Sequence, residues 1–96
     1  MFLYRNSVDK AFLSMIIAIN SYISRKLGII PKSHSERRFL LRKLNREDLR
    51  ARYSDVMRTL YDEAFYEGIY NPDEARYTIT LVEKTIKELE EELLKL

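Results

Sequence analysis

The chain has no cysteine, no tryptophan and no glutamine, and only two glycines, two prolines and one histidine in 96 residues. Without cysteine there are no disulfides, no thiol nucleophile and no Cys-based zinc site, which is compatible with a reducing compartment. Two glycines are too few for a Gly-rich phosphate loop or a series of tight hairpins. A single histidine leaves no Ser/His/Asp constellation to argue for. The longest unbroken apolar run, Met15 to Ile19, is five residues, against the roughly 20 needed to span a bilayer. Met1-Phe2-Leu3-Tyr4-Arg5 has no signal-peptide pattern, so the expected address is the cytoplasm. The missing Trp and Gln, set beside heavy use of Glu, Lys, Arg and Ile, lean toward a thermophile-like composition. No metal-ligand set and no cofactor motif is readable, and the length fits a single domain over residues 1–96 with one modest core.

What the chain does have is helical periodicity. Asn6 and Ser7 can each cap a helix, and Val8, Phe12, Met15, Ile19 and Tyr22 come after them at spacings of three and four. A second stripe, Phe12, Ile16, Ile19, Ile23 and Leu27, widens the apolar face, so a helix of some twenty residues, roughly 30 Å long, is expected at the centre of a bundle. Gly28 can end it in a left-handed C-cap. Pro31 then interrupts, and Ser33 with Glu36 has capping-box spacing for a short helix through Phe39, Leu40, Leu41 and Leu44. Asn45 and Asp48 offer the next cap, ahead of Leu49, Tyr53, Val56, Leu60 and Ala64, with Gly68 as the stop. Asn71-Pro72-Asp73-Glu74 opens a last helix, in which Ala75, Ile79, Val82, Ile86, Leu89 and Leu93 alternate by four and three. That is a coiled-coil-like seam for a helix of this chain or of a partner. The expected fold is all-α, an up-and-down bundle of three long helices and one short one.

Charge is distributed unevenly. Residues 1–60 hold 13 Lys+Arg and 5 Asp+Glu, net +8, while residues 61–96 hold 4 and 10, net −6. Arg37, Arg38, Arg42, Lys43, Arg46, Arg50, Arg52 and Arg58 crowd the short helix and the start of the next. Arg37, Arg38, Arg42, Lys43, Arg46 and Arg50 make a candidate ridge for phosphates or another anion, guanidinium being suited to bidentate contacts. The alternative is that they pair with Glu83, Glu88, Glu90, Glu91 and Glu92 of the last helix. Tyr53, Tyr61, Tyr66, Tyr70 and Tyr77 either stack on unpaired bases or sit at a core or interface rim. Asp62, Glu63 and Glu67 cluster, with Glu63 and Glu67 one turn apart, but no nearby His or second acidic helix motif completes a cation site, and a solvated helix face is the simpler reading. His34 is either a base or a locally bonded residue at the start of the short helix.

Two stretches, Tyr4 to Phe12 and Leu27 to His34, with the basic helix ending in Leu40-Leu41-Arg42-Lys43-Leu44, resemble the front of HEPN domains. Leu60 to Tyr70, then Pro72-Asp73-Glu74-Ala75 and a long final helix, resemble the back. The resemblance implies a small helical homodimer of the kind found in RNA-processing and toxin–antitoxin systems, often beside a minimal nucleotidyltransferase. It does not carry the nuclease activity over. The positions where the family's ribonuclease motif would put an Arg ahead of His34 are Leu27, Gly28 and Ile29, and the nearest upstream Arg, Arg25, is separated from it by eight residues. The segment Tyr61 to Tyr70, where the family places that motif, has neither Arg nor His, and it lacks the Arg of nucleotidyltransferase-linked members.

The expected function is therefore a non-catalytic HEPN-like homodimeric module that binds RNA, a nucleotide or a partner protein. Tyr61, Asp62, Tyr66 and Tyr70 are its candidate cleft residues, and Ile79, Val82, Ile86, Leu89 and Leu93 its dimer or partner seam. The alternatives are a metal-independent ribonuclease using His34 and a toxin–antitoxin partner of a nucleotidyltransferase.

Overall fold

The computed structural model describes residues 2–60 and 72–95, and every regular element among them is helical. In chain order they are α1 (Phe2–Leu27), α2 (His34–Lys43), α3 (Glu47–Leu60) and α4 (Pro72–Leu94). The first starts a turn earlier than the capping signal at Asn6 and Ser7 predicts. No Gly or Pro lies between residues 2–5 and the apolar stripe that begins at Val8, so the backbone has no reason to break there. Val8, Phe12, Met15, Ile19, Tyr22 and Ile23 form its buried face. Gly28 ends it at φ +69°, its N–H bonded to the Ser24 carbonyl at 2.8 Å, which is the left-handed cap the sequence predicts.

Ser33, extended at φ −147°, opens α2 by accepting the Glu36 N–H at 3.0 Å. The far end differs from expectation. Asn45 adopts φ +62° and donates to the Arg42 carbonyl at 2.9 Å, while the Arg46 N–H reaches back to the Leu41 carbonyl at 2.8 Å. This is a Schellman closure with Asn in the left-handed position, so Asn45 terminates α2 and does not cap α3. The latter begins two residues later with Glu47 and Asp48 in its first turn, where negative charge suits the helix dipole. Leu49, Tyr53 and Val56 are buried as their spacing predicts. The expected run through Ala64 to Gly68, and Asn71, lie outside the described residues.

The fourth helix corrects the sequence reading in one respect. Ala75, Val82 and Leu89 are buried, but the residues that complete their stripe are Thr78 and Thr85, at 3% and 0% exposure. Threonine has nearly the volume of valine, and the Thr85 hydroxyl is satisfied within its own helix by the Leu81 carbonyl at 2.8 Å. The buried seam is thus rotated toward Thr78 and Thr85, leaving Ile79, Ile86 and Leu93 on its flank, partly buried. It is also used within the chain: α1 and α4 share the most extensive packing between any two of the described helices. Val82 and Leu89 are therefore core residues and not available to a second molecule.

Contacts along the chain give the topology. Phe12 lies against Tyr53, ring centroids 5.4 Å apart, and the Tyr22 hydroxyl accepts from Arg46 at 2.9 Å, so α3 runs antiparallel to α1. Arg46 meets Glu92 and Arg52 meets Glu88, so α4 runs antiparallel to α3 and alongside α1 in the same direction. Three long helices go up, down and up, and α2 is the short piece between the first two. At about 1.5 Å per residue, the 26 residues of α1 account for the longest dimension of the molecule, 40 Å.

Candidate functional site

The two faces of α2 differ in chemistry. Its inner face buries Arg37, Leu40 and Leu41. The Arg37 guanidinium donates through Nε to Asn20 Oδ1 on α1 at 2.8 Å, and through Nη1 to the Tyr53 hydroxyl on α3 at 3.4 Å, with His34 Nδ1 at 3.5 Å. Tyr53 is itself bonded to His34 Nδ1 through its hydroxyl. The His34 ring lies against Phe12 and Tyr53, centroids 5.8 Å from each. One buried cation and one imidazole thus tie three helices together.

This geometry assigns the tautomer of His34. Nδ1 faces the Tyr53 hydroxyl and a guanidinium that has only donors, so it is the acceptor nitrogen and the ring proton sits on Nε2. Desolvation, and then the positive charges of Arg37 and Arg38, hold its pKa below 6.5. A neutral imidazole whose basic nitrogen is already engaged, with a proton on the other, is poorly arranged to take a proton from a substrate. The sequence alone leaves His34 as either locally bonded or a base. The bond it makes is long-range, to Tyr53, nineteen residues away.

The basic ridge expected from the sequence is divided by the fold. Arg37 is internal. Arg46 is clasped from two sides, by Asp48 at 3.0–3.1 Å and by Glu92 at 2.6 and 3.1 Å, with its side chain only 18% exposed. Its guanidinium also stacks over the Tyr22 ring at 5.2 Å. Hydrogen bonds to Asp48 first, and then to Glu92 and Tyr22, push its pKa further up, and the Arg46 bond holds the Asp48 carboxyl below its ordinary 3.8. Arg50 pairs with Glu47, Arg52 with Glu88 and Arg58 with Asp55. Two of the anticipated pairings with the last helix, through Glu88 and Glu92, are therefore made.

Three cations of the ridge remain on the outer face of α2. Among the described residues no carboxylate pairs with Arg38 or Lys43, and Arg42 has only a loose contact with Glu47 at 3.8 Å, both side chains well exposed. Phe39 sits among them, and its ring is 64% exposed. By spacing alone Phe39 belongs to the apolar set of this helix. The structure puts it on the opposite side from Leu40 and Leu41, one turn from Arg42 and Lys43.

Tyr61, Asp62, Tyr66 and Tyr70, together with Glu63 and Glu67, lie outside the described residues. No group of three His, Cys, Asp or Glu side chains among the described residues is placed to hold a metal ion, and no helix among them is long and apolar enough to cross a membrane. No family model, no curated protein and no solved structure matches the chain.

Proposed function

We propose that this chain is a non-catalytic, HEPN-like helical binding module that takes single-stranded RNA on the outer face of α2. The observation that carries the reading is Phe39, a largely exposed aromatic ring flanked by Arg38, Arg42 and Lys43. Bare aromatic surface beside cations with no close carboxylate is the pairing an unstructured strand uses, bases stacking on the ring while phosphates meet the charges. The division of the ridge supports it too. Arg46, Arg50, Arg52 and Arg58 have their acids, whereas among the described residues Arg38 and Lys43 pair with no carboxylate and Arg42 has only the loose contact with Glu47. A ribonuclease using His34 is disfavoured by the engagement of Nδ1 with Tyr53.

The test is fluorescence anisotropy of the full chain with a labelled single-stranded RNA, titrated at several salt concentrations. Phe39→Ala is expected to weaken binding by about 1–3 kcal/mol, the usual loss of one stacking platform, with the salt slope unchanged. The triple variant Arg38→Ala/Arg42→Ala/Lys43→Ala is expected to flatten the slope by about 2, near 0.7 per phosphate contact on single strands. If the wild type does not bind, or the triple variant keeps both affinity and slope, the reading fails.

A further inference from the structure

From Ala11 to Ser24 the sequence contains no charged residue, and from Lys10 to Ser35 it contains no acid. Within that stretch the fold leaves apolar side chains in the open. On α1 Leu13 and Ile17 are 58% and 60% exposed, and on the connection to α2 Ile29 and Ile30 are 44% and 64% exposed. Ile17, Ile30 and Arg25 line one depression, so the helix and the connection present a continuous strip. Ser14, beside Leu13, donates its hydroxyl to the Lys10 carbonyl at 3.0 Å, so it can leave water with its proton already bonded. Charge borders the strip unevenly. At the Ile30 end Arg25 and Lys32 are exposed and pair with no carboxylate among the described residues, and the Lys26 ammonium lies over the Tyr22 ring at 5.9 Å. Acids border the other part, Asp9 next to Lys10 and Glu90 of α4 at the level of Ile17.

We propose that this strip docks the protein on an anionic lipid surface, with Ile17, Ile29 and Ile30 entering the headgroup layer and Arg25 and Lys32 meeting its negative charge. Three features select lipid as the occupant. Aliphatic side chains give bases no ring to stack on, which separates the strip from Phe39 and its cations on α2. The unpaired charge at the Ile30 end is of one sign, complementary to a layer of anionic headgroups. Exposed aliphatic residues with Arg and Lys beside them, on a helix too polar elsewhere to span a bilayer, are the pattern of an element that lies in the interface. Only a few apolar residues take part, so the association is reversible. Asp9 and Glu90 limit the contact at the far end, where a negative surface repels them, and the deepest insertion is at the connection between α1 and α2. The strip uses none of the buried residues of α4 and is independent of the outer face of α2.

Vesicle binding by the full chain tests it. The wild type is expected to co-sediment with vesicles of phosphatidylcholine and phosphatidylserine and not with phosphatidylcholine alone, and to be released by salt. Ile17→Asn/Ile30→Asn is expected to abolish co-sedimentation with unchanged helical circular dichroism, because both residues are on the surface. Arg25→Ala/Lys32→Ala is expected to weaken it about 25-fold, about fivefold for each charge removed. The chain has no tryptophan, so Ile30→Trp and Phe39→Trp each place a single fluorescent reporter. On adding the mixed vesicles, emission of Ile30→Trp is expected to shift to the blue and that of Phe39→Trp to stay in place. A wild type that ignores the mixed vesicles, equal binding to the neutral ones, or a shift at Phe39→Trp in place of Ile30→Trp would each overturn the proposal. So would a wild type that leaves vesicles alone and sediments as a dimer that Ile17→Asn/Ile30→Asn dissociates, since a second copy would then cover the strip.

Discussion

Tyr53 and His34 show how much a single buried hydrogen bond decides. Tyr53 is fully buried, and its hydroxyl engages His34 Nδ1 while Arg37 closes on both. Only a neutral imidazole fits this arrangement, since protonating Nδ1 puts a second donor against the guanidinium. Folding therefore selects the unprotonated ring, and the native pKa lies below the unfolded value of 6.5. The unfolded chain then binds the proton more readily, so stability rises with pH across that window. It is fully present above 6.5 and is lost as pH falls through the depressed native value. Urea midpoints measured from pH 7.5 down to 5 are expected to decline in the wild type and to stay flatter in His34→Asn, whose amide oxygen can still accept from Tyr53. Equal slopes in the two proteins would remove His34 from this role. The His34–Tyr53 pair is not legible in the sequence, because a contact across nineteen residues leaves no periodic mark, whereas the Ser33 cap beside it is a local pattern and is legible.

At the scale of elements, local chemistry is the readable part. Gly28 as a C-cap, Ser33 as an N-cap and the apolar stripes of α1 and α3 all come from spacing and backbone preference. Two of the differences between sequence and structure share one cause: composition shows which residues are apolar but not which way a helix is rolled. Phe39 is core by its chemistry and faces out. Thr78 and Thr85 are polar by theirs and face in. Asn45 ends α2 where its spacing to Asp48 suggests the start of α3, because the same residue type both caps a start and tolerates the left-handed end. The C-cap of α1 allows a clean test. Space is open around Gly28, with nothing within 4 Å of an added Cβ, yet its φ is +69°. Gly28→Ala therefore meets only backbone strain and is expected to cost about 1–2 kcal/mol. Thermal melts of the two proteins measure it, and an unchanged or raised midpoint would mean that the turn relaxes to negative φ.

Over the whole molecule, the charge split of the sequence, net +8 over residues 1–60 and net −6 over residues 61–96, is offset in part where α3 packs antiparallel on α4. Arg52 meets Glu88 and Arg46 meets Glu92 across that contact. The charge split is visible in the sequence, but its partition between internal pairing and free surface is not, since it depends on which arginines the fold turns toward α4. Arg46 is the strongest case because it joins α1, α3 and α4 through Tyr22, Asp48 and Glu92. Exposed ion pairs contribute about 0–1 kcal/mol, and removing one partner of a buried pair costs about 3–5 kcal/mol. At 18% side-chain exposure Arg46 falls between these limits, so Arg46→Ala is expected to cost about 1–3 kcal/mol, while Arg58→Ala, at 80% exposure, stays within about 0.5 kcal/mol. The acid limb separates charge from packing. The Asp48 carboxyl is held below 3.8 by Arg46, so this part of the stability is fully present above that pH and is lost as pH falls through the depressed native value. Wild type and Arg46→Ala should therefore converge in stability as pH is taken below 3.8, and a gap that persists at low pH would assign the loss to the packing of Arg46 on Tyr22 instead of to its carboxylates.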